Sequence, residues 1–204
     1  MKPVNKYAEV DAEKCNGCKT CSSVCPTLAM KVVDRKAKVD LDRCLGCSGC
    51  EQRCPRYAIK MVPRKEVKWV GVDASKYDRD RIWEICMNAK IHPESIVCCC
   101  SGTRAKEIAA AIIAGARSPE DISLMTGART NCKVVCIEGL LRLLVGAGIT
   151  PTPPPDGGIQ WVGLTPDLWS ISDDVKKKYS RYYLEDDCEF LDKCLASCDK
   201  ESML

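Results

Sequence analysis

Two runs of cysteine dominate the chemistry that this sequence is able to do. The first reads Cys15-Asn-Gly-Cys18-Lys-Thr-Cys21-Ser-Ser-Val-Cys25-Pro26, and the second Cys44-Leu-Gly-Cys47-Ser-Gly-Cys50-Glu-Gln-Arg-Cys54-Pro55. Both follow the spacing C-x2-C-x2-C-x3-C-P. Thiolates are soft anionic ligands, so two matched sets of them point to metal chemistry rather than to acid-base work. Three thiolates two residues apart converge only where the backbone turns tightly, and Gly17, Gly46, Ser48 and Gly49 are the small residues that such turns need. A fourth ligand must come from outside the tight loop. Pro26 and Pro55 then turn the chain away from each set.

This doubled spacing resembles the bacterial-type ferredoxins that hold two [4Fe-4S] clusters, over residues 1–68. The resemblance implies that the last Cys of each run crosses to the other cluster. One cube is then expected on Cys15, Cys18, Cys21 and Cys54, and the other on Cys44, Cys47, Cys50 and Cys25. Structural zinc competes for C-x2-C pairs, but zinc sites usually join two short doublets rather than two quadruplets closed by Cys-Pro. Disulfides would need an oxidising compartment, and the start Met1-Lys-Pro-Val-Asn-Lys has no apolar run of the secretory kind. A reducing, oxygen-poor cytoplasm is the expected location.

A second constellation begins at Ile96-Val-Cys98-Cys99-Cys100-Ser-Gly-Thr103 and resumes at Asn131-Cys132-Lys-Val-Val-Cys136. The pattern predicts a helix from about 104 to 114, a short helix over 119–125 opened by Ser118-Pro119 and closed by Gly127, and a third helix beginning at Cys132 and running through Leu144. On that reading Cys132 and Cys136 share one face of the first helical turn, where the helix dipole favours an anionic group. The arrangement from Ile96 to about Gly148 resembles the bacterioferritin-associated-ferredoxin-like [2Fe-2S] domain. That resemblance implies Cys98, Cys100, Cys132 and Cys136 as ligands. Cys99 is an additional thiol between the first pair, and C-x3-C is a departure in the second. Both leave the register and the cluster type open, with [2Fe-2S] favoured over a helical core of buried thiols.

Further on, Thr150-Pro-Thr-Pro-Pro-Pro-Asp-Gly-Gly158 reads as a linker, and Trp161, Trp169, Tyr179, Tyr182 and Tyr183 mark an arm too poor in aliphatic residues for its own core. Cys188, Cys194 and Cys198 are candidate ligands of one more cluster, with Cys86 or Cys99 as a completing thiol; unliganded thiols are the alternative. Cys86 itself reads first as a small buried residue of a helix over 80–89. His92, the sole histidine, has no carboxylate partner in view and is a poor catalytic candidate.

The elements that must position these thiols are short. Strands are expected at 4–10, 29–33, 38–41 and 58–62, with the second and third forming a hairpin around Asp34-Arg35. Short helices after Cys21 and Cys50 would carry Cys25 and Cys54 across, which makes the two halves an internal repeat. Residues 63–68 read as a charged connector and 69–72 as a further strand. The expected class is α+β: a two-cluster ferredoxin-like domain over 1–68, a small helical cluster-binding domain over 69–149, and a Pro-rich linker with an extended arm over 150–204.

Composition agrees with such an interior, since 204 residues contain 17 Cys and a single Phe. The net charge is +3, with 15 basic and 8 acidic residues in 1–68 and 6 basic and 11 acidic ones in 156–204. Clusters bound by four thiolates are themselves anionic and offset the N-terminal excess, so solvated surface is preferred to a nucleic-acid patch. The longest apolar stretches, 108–114 and 140–145, fall far short of the roughly 20 residues of a membrane span. No dinucleotide fingerprint, P-loop, or nucleophile paired with a base is present, so the chain is expected to be non-catalytic.

Electron transfer is the function these features favour. The helical domain and arm exceed what a diffusible ferredoxin needs, so the expected partner is a larger catalytic oxidoreductase subunit using flavin, tungsten or molybdenum, together with a soluble electron donor or acceptor. The architecture resembles the small subunits of the tungsten-dependent benzoyl-CoA reductase class and of dye-linked amino-acid dehydrogenases. The alternatives are an iron-sulfur-dependent transcriptional regulator and a cluster or iron carrier. The regulator is disfavoured because the third helix has few side chains suited to base edges.

Overall fold

A computed structural model describes residues 1–152 and Pro154. The 150–204 arm, apart from its first few residues, and the candidate ligands Cys188, Cys194 and Cys198 lie outside the described residues. The described part is a mixture of helices and small antiparallel sheets, compatible with an α+β class.

The frame of the N-terminal half is a long pairing of β1 (Lys2–Val10) with β4 (Ile59–Val70), running from Lys2 opposite Val70 to Val10 opposite Ile59. The expected connector over 63–68 is therefore strand. Its charged side chains face water on a two-stranded ribbon, where backbone pairing and not apolar alternation holds the segment extended. Pro63 is tolerated because it sits opposite Lys6 at the irregularity between Val4 and Lys6, on a sheet that has only edges. Between these strands, β2 (Met30–Val33) and β3 (Lys36–Val39) form the anticipated hairpin. Asp34 and Arg35 take positive φ of 50° and 59°, the twist that a two-residue hairpin turn requires. The single-turn helices α1 (Thr20–Ser23) and α2 (Gly49–Gln52) follow the cysteine loops.

The cysteine loops and the turns that flank them occur twice, 29 positions apart. Lys19 and Ser48 enter the two helices with left-handed φ, and Leu28 and Tyr57 leave the two runs the same way. Gly17 lies so close to the hairpin that a Cβ would stand 2.5 Å from the Arg35 carbonyl oxygen, and Gly46 meets the Lys6 carbonyl in the same manner. The first cysteine loop is thus seated on the hairpin turn and the second on β1. Gly46→Ala is expected to cost about 1–3 kcal/mol from its positive φ alone, with the clash in addition. Iron per chain and the urea midpoint, measured on the same preparation, should both fall.

From Val70 the chain enters a helical unit made of α3 (Arg79–Asn88), the two-stranded turn β5 (Ile96–Cys98) and β6 (Thr103–Arg104), α4 (Ala105–Ile113), α5 (Pro119–Thr126) and α6 (Ile137–Gly146). Asp78 caps α3 by accepting from the Asp80 and Arg81 N–H groups, and the Ser118 hydroxyl accepts from the Asp121 N–H with Pro119 at the first helical position of α5. Ile82, Ile85, Ile108, Ile112, Ile122, Leu140, Leu143 and Leu144 pack as one core together with the wholly buried Cys86. Burial pushes the Cys86 thiol up to about 12, so it is a packing residue.

The third helix departs from expectation. It begins at Ile137, with Cys136 as its N-cap, and 131–136 is irregular because Lys133 takes φ 67° and breaks any helical turn. Cys132 and Cys136 therefore do not share a helical face. Lys2 ties the two halves together: its ammonium donates to the Thr103 hydroxyl at 2.7 Å and the Thr126 carbonyl at 2.8 Å, and lies 3.6 Å from the Glu107 carboxylate.

Candidate iron-sulfur centres

The first thiol set lines one cavity. Cys15, Cys18, Cys21 and Cys54 stand around it with Val32, Ala37, Ala58 and Ile59. Cys25, Cys44, Cys47 and Cys50 surround a second cavity with Ala8, Ala29, Met30 and Met61. In each case three thiols come from one loop and the fourth from the other, as the short helices α1 and α2 carry Cys25 and Cys54 across.

Main-chain donors complete both sites with the same twofold logic. The Ala29 N–H points to Cys25 Sγ at 3.2 Å and the Ala58 N–H to Cys54 Sγ at 3.3 Å. Across the halves, the Ala37 N–H points to Cys15 Sγ at 3.4 Å and the Ala8 N–H to Cys44 Sγ at 3.5 Å. These alanines are functional residues that spacing alone did not reveal. The signal was available in the 29-residue repeat, which places Ala8 with Ala37 and Ala29 with Ala58. Their small side chains let the backbone approach sulfur closely.

Electrostatics fit a cationic metal core. Burial raises the Cys21 thiol to about 11 and the Cys50 thiol to about 12, the latter with help from the neighbouring Cys47, Cys25 and Cys44 charges. Buried thiols that repel one another as thiolates form ligand sets that a polycationic group stabilises while displacing their protons. Cys18 differs: the Thr20 hydroxyl, 3.4 Å away, holds its thiol below the ordinary value. It is exposed, whereas Cys25, Cys44 and Cys50 are buried, so the first site opens to solvent and the second is shielded. Among the described residues no three Cys, His or carboxylate side chains converge tightly enough to hold a single metal ion. Thiols spaced around a cavity suit a multi-iron group.

The helical unit brings a third set together. The Cys136 thiol hydrogen-bonds Cys98 and lowers it to about 4, with Ser101 and the Arg129 N–H also contributing, and donating this bond pushes Cys136 strongly up. Cys132 is lowered by the Val134 and Val135 N–H groups and is within side-chain hydrogen-bond reach of Cys100. The pairs Cys98–Cys136 and Cys100–Cys132 thus adjoin. Cys99, exposed like Cys100, enters none of these contacts.

The loop that delivers Cys132 is braced from beneath. Arg129, with φ 63° and no exposure, pairs with the buried Glu120 at 3.0 Å. Its backbone N–H meets the sulfurs of Cys98 and Cys136. Neither member of this pair was foreseen, since nothing local in the sequence marks either as buried. His92 is structural: its Nδ1 accepts from the Glu94 N–H at 3.2 Å and its ring edge meets Trp83. On α6, Leu140, Leu141, Leu143 and Leu144 are buried, which leaves a narrow polar face of Glu138 and Arg142.

Residues 7–55 match the family model of a 4Fe-4S dicluster domain, and residues 96–145 match that of a BFD-like [2Fe-2S] binding domain. No curated protein and no solved structure matches the chain. The chain carries iron-sulfur domains of both kinds, joined through β4 and α3.

Proposed function

We propose that this chain is an electron-transfer subunit, relaying single electrons between an external donor and the active site of a larger oxidoreductase. The observation that carries the reading is the gathering of three thiol sets within one chain, with an exposed cysteine at the first dicluster set, Cys18, and two at the helical one, Cys100 and Cys132. Iron-sulfur groups in such sites accept and release one electron with little rearrangement, at potentials set by net charge, hydrogen bonds to sulfur and exposure. The protein's part is to fix the sulfurs, aim the Ala8, Ala29, Ala37 and Ala58 N–H groups at them, and keep water from the inner set. Val134 and Val135 stand 68% and 77% exposed beside Cys132, an apolar rim that supports docking of the partner at the helical end. The finer proposal is a partner of the tungsten-dependent benzoyl-CoA reductase kind. Among the described residues no helix is long and apolar enough to cross a membrane.

Anaerobic purification from the native host, with iron and sulfide counting, EPR and identification of co-purifying subunits, tests this. About ten irons per chain are expected, four for each cube and two at the helical site. Cys99→Ser should leave that count unchanged, and Cys100→Ser should lower it to about eight. A colourless, zinc-loaded chain that stays EPR-silent with dithionite would overturn the reading.

A further inference from the structure

Lys133 lies in the loop between Cys132 and Cys136, yet its side chain does not face solvent. It is 8% exposed, and its φ of 67° turns it back toward the N-terminal half. There it rests on Gly49, at the start of α2: a Cβ on Gly49 would fall on the Lys133 Nζ, and that same position is 3.8 Å from Cys47 Sγ. Among the described residues Lys133 has no carboxylate partner. A lysine is almost never buried to this extent unless its charge is answered. Among the described residues, the anionic group expected on Cys25, Cys44, Cys47 and Cys50 is what lies in reach to answer it.

We propose that Lys133 is the residue that couples the two units electrically. Its ammonium is the built-in counter-charge of the Cys25, Cys44, Cys47 and Cys50 site, and it makes that site, rather than the one of Cys15, the neighbour of the helical centre. This deepens the electron-transfer reading above and rests on it. A fixed positive charge favours the reduced, more negative state, so it raises the potential of the inner site. An electron supplied by a low-potential one-electron donor at the exposed Cys15 site then settles on the inner one. The outer site is oxidised by one and the inner reduced by one, with no proton moved. Gly49 serves the same end, because only a residue without a side chain leaves room for the ammonium.

Potentiometric titration with dithionite, followed by EPR on the anaerobic full-length chain, tests this with Lys133→Met, Lys133→Arg and Gly49→Ala. Lys133→Met is expected to weaken reduction of one cube about tenfold, which is about 59 mV for one electron, and to leave the other cube in place. Lys133→Arg should restore most of the difference. Gly49→Ala keeps the lysine but evicts its ammonium, and should move the same step in the same direction by less. Two cubes with unchanged potentials in Lys133→Met, or an equal shift of both, would overturn the assignment. A wild-type chain with no reducible EPR signal would instead overturn the electron-transfer reading beneath it.

Discussion

Stripping iron from the anaerobic chain with an oxidant and chelator should unfold the N-terminal half while the helical half stays folded. The reason lies in what each half buries. The N-terminal core consists of Ala8, Ala29, Ala37, Met30 and Ile59 around Cys21, Cys25, Cys44 and Cys50, so its interior is largely thiol and alanine. Without metal those thiols no longer share a common partner, and Met30 and Ile59, with the partly buried Val10, Val32, Val39 and Met61, are little to set against the chain entropy of some 60 residues. Metal-ligand bonding supplies the folding energy that apolar burial does not, so loss of metal and loss of structure should be one event. The helical unit has a continuous core of isoleucine, leucine and alanine in which Cys86, Cys98 and Cys136 are a minority. Limited proteolysis should show new cuts at the lysines and arginines between Lys2 and Lys68, and protection across α3, α4 and α6. Simultaneous unfolding of both halves, or an N-terminal half that keeps its amide protection after iron loss, would contradict this account.

Replacing Glu120 with Ala is expected to destabilise the helical unit by about 3–5 kcal/mol, since it leaves a buried guanidinium without a counter-charge. Arg129 is already short of partners: its Nε and second terminal nitrogen have none among the described residues, and the Glu120 carboxylate at 3.0 Å is what its charge rests on. The damage should reach the cluster, because the Arg129 N–H points to the sulfurs of Cys98 and Cys136. Denaturant midpoints read together with iron content check both links. Glu120→Ala should keep the eight irons expected of the dicluster domain and lose those of the helical site. The paired change Glu120→Leu with Arg129→Met should recover most of the stability, as apolar replacement of both members of a buried pair is often close to neutral. A single variant as stable as the parent would mean that the pair bears no strain and does not hold the loop.

The metal chemistry was legible in the linear sequence because it is set at short range. Two residues between thiols, a glycine that permits the turn and a proline that ends it are geometric facts within a dozen residues, and their recurrence 29 positions later announced a twofold site. Helices α3, α4 and α5 were legible for the same reason, through caps such as Ser118 and stops such as Gly127. The start of α6 was not. The run from Asn131 to Cys136 contains no Gly or Pro that would stop a helix, and the left-handed backbone at Lys133 accompanies a side chain lying against the distant Gly49. Residues 63–68 looked like a connector because their charges conceal a strand held by pairing with β1 some 60 positions earlier.

By itself, then, the chain's sequence determined which thiols can gather into common sets and roughly which local turns present them, since covalent spacing confines thiols to a few mutual positions. Folding in three dimensions decided which distant groups adjust those sites: the alanine N–H groups behind each sulfur, the buried Arg129–Glu120 brace, and the Lys133 ammonium lying on Gly49. Such contacts join residues tens of positions apart, and their identities are set by packing and by the cost of leaving a buried charge unanswered, neither of which is written in any local pattern.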